Sequence, residues 1–218
     1  MVFEINTLTL QFKVLLYNME KQIEDIKAIR EMMEKSSKFL SLSGLSGVIA
    51  GVTAILGAVF GYLLILHNPG ETDFNRMQEL LILLVDAVVV LTISVSFAFY
   101  FSWKKAKKKN IKLINKTAFK TIYNLGIPLL VGGVFSIICL LQGNIELVAS
   151  TTLIFYGLGL INASKYTYEE IHYLGITEVI LGIGAAIFLY HGIIFWTLGF
   201  GVCHIIYGLI MYKKYDLN

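Results

Sequence analysis

Charge is scarce in this chain and unevenly placed. Asp, Glu, Lys and Arg make up 15% of its 218 residues, against about a quarter in soluble domains. Proline occurs only at Pro69 and Pro128, so little interrupts long helices. Cysteine occurs only at Cys139 and Cys203. Both lie in apolar runs, which excludes a disulfide framework and zinc-type Cys/His spacing. No phosphate-binding glycine loop, nucleophile elbow, HExxH or paired-carboxylate motif is present. The polar stretches between apolar runs are too short to build a soluble active site, so nothing here points to an enzyme.

Apolar sequence is abundant instead. Hydrophobic residues make up 56% of the chain, with a mean hydropathy of +0.72. Six runs recur: Leu40–Leu66, Leu80–Ser102, Leu125–Leu141, Ile145–Ala163, Ile171–Tyr190 and Ile193–Tyr212. A bilayer core needs about 20 helical residues, and only helices or closed barrels satisfy backbone groups in lipid. The runs are continuous rather than alternating, so they predict an all-α integral membrane protein with six transmembrane helices.

Basic residues set the topology. Six lie in the segment up to Lys38, eight in the loop 104–124, one at Lys165 and two after the last run. The alternate side has only Arg76, a split of 17 to one. The positive-inside rule then places both termini in the cytoplasm. The domain plan is a cytoplasmic N-terminal segment 1–38, a transmembrane domain 39–212 and a cytoplasmic tail 213–218. Residues 1–18 differ in character from the rest of the N-terminal segment and lack the basic n-region and cleavage site of a signal peptide. They read as a misassigned or disordered extension, with an amphipathic helix from about Met19. In that helix Ile26, Ile29, Met33 and Leu40 fall near heptad positions.

The basic loop, read over 104–120, fits anionic lipid headgroups rather than nucleic acid. Ile111, Ile114, Ala118, Ile122 and Leu125 recur at helical steps, as in an interfacial helix or an extension of the third span. Trp103, Tyr166, Tyr168, Tyr212 and Tyr215 fit interfacial belts.

Leu125–Gly143 and Leu174–Gly192 share seven identities over 19 ungapped positions. The next helix in each case, Ile154–Tyr166 and Ile205–Tyr215, also matches with a short gap. Spans three and four thus read as a copy of spans five and six, related by an axis along the membrane normal. In the first span, Gly47, Gly51, Gly57 and Gly61 fall at helical steps, a smooth face for close packing or for a homo-oligomer through that span. Thr167 to Glu170 has capping-box spacing before the fifth span, and Thr72 or Asp73 can cap the second.

Two carboxylates lie well inside the spans, Asp86 and Glu178, and no Lys or Arg does. A charge at the bilayer centre costs about 2.5–3.5 kcal/mol on insertion scales, so each acid is expected to be protonated, to meet water or to meet a cation. Spans five and six form a hairpin, which predicts that Glu178 and His204 overlap in depth as a proton-relay pair. Polar glue between helices is the alternative. Asn162 ends span four, where it would cap the helix or line a cytoplasmic mouth. No cofactor and no metal site is expected: His67 and His191 are the only histidines at one depth.

Three stretches, "EMMEKSSKFLSLSGLSGVIAG", "LIFYGLGLINASKYTYEEIHYLGI" and "FWTLGFGVCHIIYGLIMYKKYD", together resemble a family of small six-span bacterial inner-membrane proteins with no assigned activity. The resemblance covers Met19 onward and implies a bacterial inner-membrane setting. It implies no site residues. Three functions remain open on the sequence: a small proton-linked transporter or channel-like protein using Glu178 and His204; a sensor or partner protein acting through the N-terminal helix and basic loop; and an intramembrane enzyme or cofactor carrier.

Overall fold

The computed structural model describes residues 15–16, 19, 21–23, 25–26, 29, 42–67, 73–108 and 114–217, without the side chains of 65–67, 73–77 and 79–80. Expectations for Met33, Leu40, Thr72, Ile111 and the side chains of Asp73 and His67 fall outside these residues. The chain divides into two units, Met1–Lys38 and Phe39–Asn218.

In the first unit every described residue is helical, Leu15 and Leu16 included. Leu15, Met19, Ile23, Ile26 and Ile29 are all exposed.

Among its described residues the second unit holds six helices long and apolar enough to cross a membrane. These are α1 (Gly44–His67), α2 (Asp73–Lys108), α3 (Lys116–Leu141), α4 (Glu146–Ala163), α5 (Glu169–Ile187) and a sixth span, Leu189–Asp216. The sixth span changes winding along its length. An α-helical turn at Gly192–Trp196 leads into a π-helical stretch, Thr197–Cys203, then α-helix at His204–Met211 and a second π-helical stretch at Tyr212–Asp216.

The helix ends reflect local chemistry. Asn115 has extended backbone and its Oδ1 accepts the Ala118 N–H at 2.7 Å, which caps α3. This makes the end of the basic loop an extension of span three. At the far end of α3, Gly143 adopts φ +80. There Asn144 N–H reaches the Cys139 carbonyl at 2.9 Å and Gly143 N–H reaches that of Leu140 at 3.1 Å. This paired closure needs a left-handed residue, which glycine supplies without strain. The capping box before α5 does not form. Thr167 Oγ1 donates instead to the Ala163 carbonyl, and Glu170 is drawn to Lys214 and Tyr215.

Packing runs from neighbour to neighbour. α2 lies on α1, α1 on the sixth span, the sixth span on α4 and α5, and α3 on α4. No side chain from Leu81 to Ala98 in α2 is buried, as befits a helix whose other faces are apolar. Glycines set the close crossings. A Cβ on Gly51 would run into the backbone of Gly201 and Ile205, and one on Gly47 would press on Gly208. A Cβ on Gly57 or Gly61 would instead meet Asp86 and Val90 or Leu83 of α2. The glycine stripe of the first span is therefore covered within the chain, one part by the sixth span and the other by α2. Gly157 of α4 and Gly175 of α5 meet backbone to backbone in the same manner. Glycines that align between the third and fifth spans are not used alike: Gly175 and Gly182 are packed, while Gly126 and Gly133 have open space at the Cβ position.

Candidate functional site

Pro128 lies inside α3. It has no N–H to offer the carbonyl four residues back, which is that of Asn124. Asn162 Nδ2 donates to that carbonyl at 3.3 Å. Asn162 is not the cap of α4, whose C-cap is Ser164. It ties α4 to α3 by satisfying an acceptor that the proline leaves open, and Lys165 Nζ approaches its Oδ1 at 3.5 Å.

The two intramembrane acids lie on different seams. Asp86 faces Gly57 between α1 and α2, where Thr53 and Ser94 share a hydroxyl contact of 3.0 Å. Glu178 belongs to α5 and is fully buried, 0% exposed. It shares a helix face with Gly175 and Gly182, so α4 comes close on both sides of it. Ser150 of α4 seals one side by donating to the Gly182 carbonyl at 2.8 Å.

His204 of the sixth span meets Glu178 as the hairpin predicts. Its Nδ1 lies 3.3 Å from Glu178 Oε1 and 3.0 Å from the Gly199 carbonyl. Its Nε2 lies 2.8 Å from the Tyr156 hydroxyl of α4. A carbonyl can only accept, so Nδ1 carries a proton, and in the neutral ring Nε2 then accepts from Tyr156. The Glu178 oxygens have no hydrogen-bond partner of good geometry. Gly199 makes room for the carboxyl, since a Cβ there would run into Glu178 Oε2 and Leu153 Cδ2. Phe200 and Tyr156 flank the imidazole, with ring centroids 5.9 Å and 5.4 Å from it.

The π-helical stretch delivers Gly199 and His204 to the same point. Wider winding of this kind recurs at functional sites. Sequence reasoning missed Tyr156 and Gly199. Tyr156 lies in the stretch that matches Ile205–Tyr215 in sequence, opposite Tyr207, but nothing in its neighbourhood marks it as polar-facing. Among the described residues no group of three or more His, Cys, Asp or Glu side chains is gathered to hold a metal, and Cys139 and Cys203 are free thiols. His191 is exposed, and His172 Nδ1 sits 3.3 Å from Ser164 Oγ.

No family model, curated protein or solved structure matches the chain in comparison. The fold and composition define a multi-pass helical membrane protein.

Proposed function

We propose that the protein is a small proton-linked transporter or channel-like protein of a bacterial inner membrane, with both termini in the cytoplasm and Glu178 as its proton-exchanging group. The observation that carries this reading is the placement of His204, whose two ring nitrogens face different partners. Tyr156 lies at one nitrogen and Glu178 at the other. An imidazole so placed can exchange a proton between its Nδ1 and the Glu178 carboxyl while Tyr156 fixes the ring from the other side. A bare carboxylate with neither oxygen hydrogen-bonded is costly in such surroundings, so the resting acid holds its proton. Asp86 is a separate, secondary candidate on the α1–α2 seam, and the lysines of the 104–120 segment that remain outward serve lipid headgroups.

The test is proton uptake in vesicles reconstituted with the purified protein, read with a pH-sensitive dye under an imposed potential. Wild-type protein is expected to conduct protons, and Glu178→Gln to abolish the flux while folding normally. Flux unchanged in Glu178→Gln would contradict the assignment.

One observation favours a second reading, a partner or sensor protein. Every described residue of the N-terminal segment is exposed, with the apolar Leu15, Leu16, Met19, Ile23, Ile26 and Ile29 among them. Deletion of that segment with proton flux retained but a cellular phenotype lost would support it.

A further inference from the structure

Lys105 belongs by sequence to the basic segment expected at lipid headgroups, yet its side chain is 8% exposed. Its Nζ lies 2.6 Å from Asp216 Oδ1 and donates to the Leu42 carbonyl at 2.8 Å and to the Tyr168 hydroxyl at 3.2 Å. The other oxygen of Asp216 accepts from Ser43 Oγ at 2.8 Å and from the Gly44 N–H at 2.9 Å. Asp216 thus sits at the N-terminus of α1, where the helix dipole favours an anion, and holds the end of α2 through Lys105. Tyr168, expected in an interfacial belt, is buried and stacks on Tyr215 with centroids 4.0 Å apart. Burial first, and then the Asp216 carboxylate, pushes the Tyr168 phenol well above its ordinary value, so it stays protonated.

This cluster closes the same end of the helices that surround the His204 site. Between the two lies an apolar layer of Leu160, Ile171, Leu174 and Met211, with Tyr156 and Cys203 packed against it. A buried ion pair is often less stabilising than apolar residues of similar volume, so packing alone does not account for a lysine and an aspartate here. Asp216 comes from the π-helical end of the sixth span, whose Lys214 and Tyr215 also reach Glu170 of α5; Asp216 is its tie to α1.

We infer that the Lys105–Asp216 joint is a releasable latch: when Asp216 leaves the N-terminus of α1, the sixth span moves off α1 and α5 and opens the site around His204 to water from that end. The latch rests on the proposed function for its purpose, but its test does not.

Cys203 precedes His204 and serves as the reporter. Labelling by a membrane-impermeant thiol reagent is measured in vesicles, in a background lacking Cys139, from the face that carries the C-terminus. Lys105→Met keeps the stem and removes the charge; Asp216→Asn keeps an acceptor for Gly44 and removes the charge. Each is expected to raise the labelling rate of Cys203 at least about tenfold, because breaking a buried pair weakens closure strongly. The same substitutions in protein that keeps only Cys139, which is buried in α3, report unfolding and are expected to leave that thiol unlabelled. Unchanged Cys203 labelling in Asp216→Asn overturns the latch, as does a parallel rise at Cys139. If Cys203 opens while Glu178→Gln leaves proton flux unaltered, the latch stands and the proton-linked function falls.

Discussion

Two carboxylates of the second unit, Asp216 and Glu178, have opposite surroundings. Asp216 has a lysine, a serine hydroxyl and a backbone N–H within 2.9 Å. Glu178 is fully buried, yet its oxygens have no hydrogen-bond partner among the described residues, and the imidazole nitrogen 3.3 Å away is shared with a carbonyl. The first acid joins helices. The second has no hydrogen-bond donor of good geometry, which suits the proton exchange proposed for it. The contrast lies in the partners: one carboxylate is tied into a joint, the other is left without one.

The largest effect that would sharpen this contrast is expected from Asp216→Ala. It removes the carboxylate that balances the buried Lys105 charge and is expected to cost about 3–5 kcal/mol, read as a fall in the thermal midpoint in detergent. Glu178→Gln is expected to leave that midpoint within about 1 kcal/mol, because no strong bond is lost. An equal loss in both variants would break the distinction. Gly199→Val comes next: its side chain would enter the space of Glu178 and Leu153, for a cost of about 1–3 kcal/mol and loss of flux. Tyr156→Phe removes one hydrogen bond to His204 and is expected to cost about 1 kcal/mol, with flux slowed and its pH dependence displaced. The smallest effect is expected from Asp86→Asn, on the lightly packed α1–α2 seam: under about 0.5 kcal/mol, with flux retained. Loss of flux in Asp86→Asn would move the working acid from one seam to the other.

The six helices were legible because hydropathy and helix length are linked by bilayer thickness. The meeting of Glu178 with His204 was legible because a hairpin pairs residues at equal depth. Tyr156 was not, since a tyrosine in an apolar run reads the same whether its hydroxyl faces a partner or an interface. The role of Asn162 could have been read from Pro128, whose missing N–H leaves the carbonyl of Asn124 open, but the crossing that brings Asn162 there is tertiary. Lys105 was misplaced for the same reason: loop charge sets topology as a sum, and no sum tells which lysine turns inward. The glycine stripe of α1 was legible as a packing face, while its division between the sixth span and α2 depends on the direction of each crossing.

The proposal stands or falls on Glu178 as a protonated acid that exchanges its proton. Infrared difference spectroscopy in H2O and D2O reads this, because a protonated carboxyl and a carboxylate absorb apart and only an exchanging proton is replaced by deuterium. The expected result is a carboxylic-acid band that shifts in D2O, persists in Asp86→Asn and is absent in Glu178→Gln. A carboxylate signal alone, or an acid band that D2O leaves unmoved, would contradict it.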